Sequence, residues 1–260
     1  MEKNKITLSV ALATYNEEDV LAKCLESIAS WVDEIVIVDG GSTDKTVEIA
    51  QRYKARIIIT DNPPIFHINK QKAVDACKKE WILQLDADEI VSHSLKEEIL
   101  TIIQSTAKPY AGYYISRKNF FLGIWMKKGG QYPDYVIRLF QRGKGKFPSK
   151  SVHEQISISG DIGYLKNPLL HYPYETFSEY WEKALRYSKL VARELVKQGV
   201  PKNILTAFSF FIVKPLYTFL NLFIRHRGIM DGGVGFLFAF FSALQHPIAY
   251  IEYIYGKNIN

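Results

Sequence analysis

The stretch "WILQLDADEI", residues 81–90, is an apolar, strand-like run that ends in three carboxylates within four residues. These are the side chains of Asp86, Asp88 and Glu89. Neighbouring carboxylates repel each other, and each is better solvated by water than by the end of a buried strand. The stretch therefore calls for positive charge to compensate the carboxylates at this point of the fold.

Strand-like and helix-like patterns alternate outward from this stretch, through the first hundred residues. The strand-like runs are "ITLSVALAT", "EIVIVD", "RIIIT" and "WILQLD", and amphipathic helical patterns lie between them. Such repeats predict an α/β fold with a mostly parallel sheet and right-handed crossovers. Ligands of these sheets bind outside the carboxyl ends of the strands. Because "TYNEE", "DGGSTD" and "DADE" all follow strands, three polar clusters are predicted to converge on one edge.

A divalent cation would reverse the repulsion within "DADE". Asp-x-Asp at the end of a strand presents hard oxygen ligands that suit Mg²⁺ or Mn²⁺, and Mg²⁺ usually binds substrate phosphates as well. The predicted substrate is therefore phosphorylated, most simply a nucleotide. The alternative is that "DADE" is a solvated loop and helix cap, and the two other clusters at the same edge favour the metal.

Composition is that of a folded globular protein, with 260 residues, 47% of them hydrophobic and 23% charged. The net charge of +6 suits anionic small molecules or an anionic membrane surface, and is poor support for nucleic-acid binding. Cys24 and Cys77 fall in predicted amphipathic helices, which indicates buried thiols in a reducing compartment. The N-terminal sequence "MEKNKITLSV" has no signal-peptide pattern.

The chain resembles family 2 glycosyltransferases of the GT-A fold, a Rossmann-like fold that binds nucleotide-diphosphate sugars. The resemblance lies in "ALATYNEEDVLAKCLESI", "EIVIVDGGSTDKT", "WILQLDADE" and "YVIRLFQRGKGKF", followed by "VHE". Within that family the chain is most similar to bacterial lipopolysaccharide-core glucosyltransferases of the β-1,4 type. The resemblance implies a metal-dependent, inverting transfer of a hexose, glucose in those relatives, from a UDP-sugar.

The resemblance also implies a set of donor-binding residues. The loop after the first strand lies near the base and ribose, the acid that ends the second strand recognises the base, and Asp-x-Asp serves ribose and metal. These residues are Thr14, Tyr15, Asn16, Glu17, Asp39, Asp86 and Asp88. Lys70 is a candidate diphosphate contact. It is the lysine of "NKQ", which stands where relatives often read "QKN". The alternative is that Lys70 is an ordinary exposed lysine on a helix. "DGGSTDKT" matches neither a P-loop nor a dinucleotide-binding glycine motif, which disfavours an NTPase or a dehydrogenase.

Residues 110–175 are predicted to form the acceptor half of the site. "AGYYISRKNFF" and "DYVIRLFQR" have strand composition, and "LGIWMKKGGQYP" is a Gly-rich loop between them. Trp125 suits the apolar face of a sugar, Lys127 and Lys128 suit acceptor phosphates, and Arg138 is assigned to the same side. A plain hairpin with a packed Trp is the alternative.

An inverting transferase needs a general base for the acceptor hydroxyl. Glu154 is the first candidate, because it stands where many relatives carry a Glu-Asp pair, and Asp134 is the competitor. His153 and His171 are candidate contacts for the metal or the diphosphate, although a lone His is more often structural.

The last quarter of the chain changes in composition. A helix with a basic face is predicted within "FSEYWEKALRYSKLVARELVKQG", and two strongly apolar segments follow, "ILTAFSFFIVKPLYTFLNLFI" and "GFLFAFFSALQHPIAYIEYIY". Each segment is close to the length of a membrane span. The first segment, however, has a Lys-Pro pair at its centre, which is unfavourable in a span that faces lipid. Helices that lie in the plane of an anionic membrane fit this pattern better. A two-helix hairpin inserted in the membrane is a second possibility. The alternative to both is that the segments are core helices or a dimer interface of a soluble protein.

The predicted organisation is a GT-A domain over residues 1–175 and a helical membrane-docking appendage over 176–260. We expect the protein at the cytoplasmic face of a bacterial inner membrane, peripheral or monotopic, acting on a lipid-linked or lipopolysaccharide glycan. A sugar-nucleotide nucleotidyltransferase and a non-catalytic membrane-associated nucleotide-sugar-binding protein are the alternatives. The transferred sugar, the linkage and the oligomeric state are not indicated by the sequence.

Overall fold

The structure, a computed structural model, describes residues 7–63, 65–105, 107, 109–148 and 155–256. The chain divides into two compact units. The first comprises Met1–Arg117 and Tyr135–His171, and the second comprises Lys118–Asp134 and Tyr172–Asn260. The second unit thus takes the predicted acceptor loop together with the C-terminal helices, while the domain boundary at residue 175 stays a prediction.

The described residues contain twelve strands. They are β1 (Leu8–Thr14), β2 (Glu34–Asp39), β3 (Arg56–Ile59), β4 (Trp81–Gln84), β5 (Glu89–Ile90), β6 (Gly112–Phe121), β7 (Ile124–Trp125), β8 (Asp134–Gln141), β9 (Gly145–Lys146), β10 (Ser157–Ile158), β11 (Ile162–Tyr164) and β12 (Leu169–Tyr174). The six predicted strands are present in the predicted order as β1, β2, β3, β4, β6 and β8.

The helices alternate with the early strands and dominate the end of the chain. They are α1 (Leu21–Ile28), α2 (Thr46–Arg52), α3 (His67–Ala76), α4 (His93–Gln104), α5 (Phe177–Lys197), α6 (Ile204–Phe208), α7 (Lys214–Leu220) and α8 (Gly232–Tyr255). Two π-helical segments, Ser209–Val213 and Asn221–Arg225, extend α6 and α7, and a 3₁₀ turn, Gly228–Asp231, precedes α8.

The large sheet is mixed, with the order β3-β2-β1-β4-β8-β6-β12-β5 and β11 beside β6. The pairs β1–β2, β1–β4 and β2–β3 are parallel, as the alternating pattern predicts, whereas β4 and β8 are antiparallel. In register, Thr14 lies opposite Asp39, and Ala11 lies opposite Gln84. The loops after β1, β2 and β4 therefore leave the sheet at one edge.

Apolar side chains cover both faces of this sheet. The helical pattern predicts an apolar face of α1 made of Val20, Leu21, Cys24, Leu25 and Ile28. The last four are buried, and Val20 is the partly buried N-cap residue. Cys77 is also a buried, free thiol, but it lies just beyond α3 and not inside it, since its backbone is already extended (ψ 139°). Burial raises the pKa of Cys77 to about 12, so the thiol stays protonated near neutral pH.

In the second unit, α8 packs along α5 and α7. Two of the described helical stretches, Ile204–Arg225 and Gly228–Tyr255, are long and apolar enough to cross a membrane. Only 6% of the apolar window in the first stretch is buried, and 28% in the second. Most of this apolar surface is therefore not covered by the second unit itself.

Candidate active site

The carboxylate of Asp39 organises the turn after β2. Its Oδ1 accepts hydrogen bonds from the backbone N–H groups of Gly41 (3.0 Å) and Ser42 (2.7 Å). Its Oδ2 accepts from Thr14 Oγ1 (2.8 Å) and Ser42 Oγ (2.6 Å). The side chain is 1% exposed, and Gly41 has a φ of +81°, which favours glycine. Asp39 thus fixes the geometry of the turn in addition to any contact with a base.

The loops after β1 and β2 are joined by reciprocal hydrogen bonds. The backbone N–H of Asn16 donates to Ser42 Oγ (2.8 Å), and Asn16 Oδ1 accepts from the backbone N–H of Thr43 (2.9 Å). Asn16 has a φ of +54°, a conformation that Asn tolerates better than most residues. The neighbouring Tyr15 is 44% exposed. The two loops therefore form one fixed ridge with an aromatic ring at its surface.

Two cations hold the carboxylate of Asp86 in the loop after β4. Lys70 of α3 pairs with Oδ1, and Arg138 of β8 pairs with Oδ2 at 2.6 Å. The same guanidinium also donates to the side-chain oxygen of Gln84. Burial alone would raise the pKa of Asp86, but the charges of Arg138 and Lys70 hold it well below its usual value. Asp86 is therefore ionised at neutral pH.

Glu89 is fully buried and completes the same network. Its Oε1 accepts from Arg138 at 2.6 Å and lies 3.6 Å from the guanidinium of Arg117. Its Oε2 accepts from the backbone N–H of Asp86 (2.9 Å), which closes the turn. Burial opposes the charge of Arg138, but Asp86 and Glu89 raise the pKa of its guanidinium. Protein cations thus supply much of the positive charge that the carboxylates require.

Asp88 lies beside a histidine. Its Oδ2 is 3.4 Å from His171 Nε2 of β12, and His171 lies opposite Glu89 in the antiparallel pair β12–β5. Carboxylate oxygen and imidazole nitrogen are ligands that suit a divalent ion such as Mn²⁺. Across the described parts of the chain, no group of three His, Cys, Asp or Glu side chains is placed to hold one ion. Asp88 and His171 would supply two protein ligands to such an ion.

Cys24 lies beneath this loop. Its Sγ is 3.7 Å from the backbone carbonyl of Asp86. Burial first, and then the nearby charges of Glu89, Asp88 and Asp86, raise the pKa of its thiol well above the usual value. Cys24 is therefore an apolar support for the loop and not a nucleophile.

In the second unit, Trp125 lies next to two lysines. The ammonium nitrogens of Lys118 and Lys127 lie 4.4 Å and 5.2 Å from ring centroids of the indole. The carboxylate of Asp134 accepts a hydrogen bond from Asn119 Nδ2 (3.1 Å). This arrangement combines an aromatic face with positive charge.

The structure therefore groups part of the predicted site. It joins Lys70 to Asp86, Asp88 to His171, and Thr14 to Asp39. Arg138, predicted on the acceptor side, is 6% exposed and pairs with the carboxylates after β4.

Glu154 and His153 lie outside the described residues. The sequence prediction omitted Gln84, Glu89 and Arg117 from the site. A polar Gln inside the apolar run "WILQL" was the available signal for the first of these.

Residues 9–166 match the family model for glycosyl transferase family 2. The chain belongs to this family, and it is a glycosyltransferase. It is 30% identical to the lipopolysaccharide core biosynthesis glycosyltransferase LpsC of Rhizobium meliloti, over 93% of this chain and 92% of LpsC. It is 29% identical to an uncharacterized glycosyltransferase of Rickettsia typhi, over 92% of this chain and 85% of that protein.

A solved structure confirms the predicted fold. The mannosyltransferase PcManGT of Pyrobaculum calidifontis, in complex with GDP-Man and Mn²⁺, superposes with a TM-score of 0.52. The alignment covers 96% of this chain and 88% of that chain, at 14% identity. The protein therefore has the GT-A fold, with two apolar helical stretches at its C-terminal end.

Proposed function

We propose that the protein is an inverting, metal-dependent transferase that moves a hexose from a UDP-sugar to a hydroxyl of a membrane-anchored glycan, such as a lipopolysaccharide core. Family membership supports the transferase chemistry, and the similarity to LpsC supports the acceptor class. The observation that carries the donor assignment is the shared edge at which the loops after β1, β2 and β4 leave the sheet.

We assign the donor's base and ribose to the ridge formed by the first two loops. Tyr15 offers an exposed ring, and Asn16 and Glu17 continue the loop beside it. Thr14 and Asp39 hold this surface through their hydrogen bond, so they act by fixing the ridge as well as by any direct contact. We place Asp86 next to the ribose and Lys70 next to the diphosphate, because the two side chains are already paired.

Asp88 and His171 would hold a divalent Mg²⁺ or Mn²⁺. Such an ion, when bound, supplies the counter-charge for the leaving diphosphate. Both oxygens of Asp86 already accept from cations, so we assign the ion mainly to Asp88. His153 is a further candidate.

On the acceptor side, we retain Glu154 as the general base and Asp134 as its competitor. Trp125 and Lys127 are assigned to the acceptor glycan, because an indole face and a nearby ammonium suit a phosphorylated sugar. We reassign Arg138 to the donor loop, since its guanidinium is buried against Asp86 and Glu89.

We place the protein at the cytoplasmic face of a bacterial inner membrane, as a peripheral or monotopic protein. The low burial of Ile204–Arg225 disfavours the alternative that this stretch is a core helix. Large apolar side chains along it are exposed; examples are Leu205 (76%), Phe208 (57%) and Tyr217 (65%). Transfer of this surface to lipid is favourable in proportion to the apolar area removed from water.

A panel of nucleotide sugars, read by release of the nucleoside diphosphate, tests the donor assignment. We expect one UDP-hexose to dominate and Asp88→Ala to lower kcat by about 10²- to 10³-fold, the range for losing an electrostatic stabiliser. Asp61→Ala removes an exposed carboxylate of the same unit and is the control. Full activity of Asp88→Ala in excess chelator would refute the metal assignment, and activity with no UDP-sugar would refute the donor.

A further inference from the structure

The turn between the two apolar helices, residues 225–231, has two chemically different sides. Ile229 is 56% exposed and Met230 is 65% exposed, and the side chains of Arg225 and Arg227 are exposed as well. Asp231 is only partly exposed. The turn therefore presents apolar and basic side chains outward while its acidic residue is directed elsewhere.

Asp231 binds the backbone of the predicted acceptor loop. Its Oδ1 accepts a hydrogen bond from the N–H of Lys127 (3.1 Å), and its Oδ2 accepts from the N–H of Lys128 (2.8 Å). The N–H of Gly129 donates to the carbonyl of His226 (2.9 Å). Three consecutive N–H groups of the loop are thus bound by the turn between the helices.

Glycines let the loop and the turn approach closely. A Cβ on Gly228 would lie 2.7 Å from the carbonyl oxygen of Leu222 and 3.4 Å from the Cα of Gly129. A Cβ on Gly130 would lie 3.7 Å from the ring of His226. Gly129 and Gly130 have φ values of +63° and +74°, which disfavour other residues. Since the contact is between backbones, a shift of the turn must shift the loop.

We propose that Asp231 is a positioning residue, which transmits the docking of the turn on an anionic bilayer to the loop that carries Trp125 and Lys127. This inference rests on the proposed function, in which that loop binds the acceptor. Membrane contact would then set the acceptor half of the site, and donor binding would not depend on it.

The occupant we assign to the outer side of the turn is an anionic lipid bilayer. Its headgroups complement Arg225 and Arg227, and its interface accepts Ile229 and Met230. Each basic residue near such a surface adds to the electrostatic attraction. The two helical stretches that flank the turn are both apolar enough to enter a bilayer.

Limited trypsin digestion of the full chain tests the coupling, with cleavage after Lys127 and Lys128 followed by mass spectrometry. We expect phosphatidylglycerol vesicles to slow this cleavage several-fold in the wild type, and phosphatidylcholine vesicles to have little effect. The Asp231→Ala variant should still sediment with the anionic vesicles, because the apolar and basic side chains of the turn are intact. Its cleavage by trypsin, however, should no longer be slowed by these vesicles. The Asp231→Asn variant keeps one carbonyl acceptor and should therefore retain part of the protection from trypsin.

Kinetics separate positioning from a general loss of structure. With a truncated-core lipopolysaccharide in phosphatidylglycerol vesicles, Asp231→Ala should raise the KM for the acceptor about tenfold, the effect of losing charge-assisted hydrogen bonds. The KM for the donor should not change. Glu252→Ala, which removes another carboxylate near the far end of α8, is the matched control and should behave like the wild type.

Two results would overturn the inference. One is wild-type protection of Lys127 and Lys128 in Asp231→Ala, and the other is a donor KM that rises together with the acceptor KM. A wild type that does not sediment with anionic vesicles would refute the proposed membrane location and the coupling with it. In that case, trypsin digestion without vesicles still tests whether Asp231 holds the loop. Faster cleavage of Asp231→Ala than of the wild type would show that it does.

Discussion

Arg138 connects the carboxylates of the loop after β4. Its guanidinium reaches Asp86 and Glu89, both at 2.6 Å, and Glu89 is fully buried. Burying these charges costs free energy, and the attraction between them offsets the cost only while all partners are present. Basic residues from other elements therefore compensate much of the negative charge of "DADEI", and this part of the charge does not require a metal.

Replacement of Arg138 should therefore destabilise the fold. Arg138→Met leaves Glu89 buried beside an apolar side chain, and we expect the free energy of unfolding to fall by about 3–5 kcal/mol. Urea unfolding followed by circular dichroism measures this change. Arg52→Ala breaks an exposed pair with Glu48 and should cost less than about 1 kcal/mol. Equal effects of the two substitutions would show that the buried network does not hold the loop.

The depressed pKa of Asp86 gives a pH dependence with a defined sign. Its folded pKa lies well below the unfolded value of about 3.9, so the ionised form stabilises the fold at any pH above that value. This contribution disappears as the pH falls below 3.9 towards the folded pKa. The difference in unfolding free energy between wild type and Asp86→Asn should therefore be constant from pH 7 to 5 and shrink below pH 4. A difference that stays constant down to pH 3 would contradict the ion pairs.

At the scale of elements, sequence patterns were sufficient for what is local. The alternation of strands and helices, the buried face of α1 and the helix α5 all follow from periodicity. The position of the loops after β1 and β2 at one edge is also predictable, because parallel strands share a direction. The antiparallel pairing of β4 with β8 is not predictable, since nothing in "WILQLD" specifies a partner about sixty residues away. This pairing brings Arg138 to Asp86, and it explains why Arg138 was placed on the acceptor side.

The glycines of α8 offer a matched pair of substitutions. A Cβ at Gly235 would lie 1.9 Å from the carbonyl oxygen of Gly228, whereas a Cβ at Gly233 would meet nothing within 4 Å. Gly235→Ala should therefore lower the free energy of unfolding by about 1–3 kcal/mol through overpacking. Gly233→Ala should leave it unchanged or raise it by up to about 1 kcal/mol, because Ala favours the helix. Thermal unfolding of both variants in the same detergent tests this prediction. Equal unfolding midpoints would refute the close contact at Gly235.

At the scale of the whole molecule, the base assignment depends on which acid takes the acceptor proton. Glu154→Gln keeps the side-chain shape and removes the basicity, so kcat should fall by about 10²-fold or more. The KM for the donor should stay nearly normal, and the pH–rate profile should lose its acidic limb.

Asp134→Asn is the comparison for this experiment, and its effect should be much milder. The carboxylate of Asp134 already accepts a hydrogen bond from Asn119. If Asp134→Asn proves the more damaging substitution, the base is Asp134. If both variants stay active, the base is another residue.

The hydrogen bonds of Asp231 also have a consequence for the order of events during synthesis. Lys127 and Lys128 precede Asp231 by 104 and 103 residues. A ribosome that adds roughly 5–20 residues per second needs about 5–20 s to cover that interval. The loop leaves the ribosome long before the turn that holds it, and by then the first unit has its whole sequence, which ends at His171. Docking of the loop is therefore one of the last tertiary events for the nascent chain, and it follows the emergence of the first apolar helix.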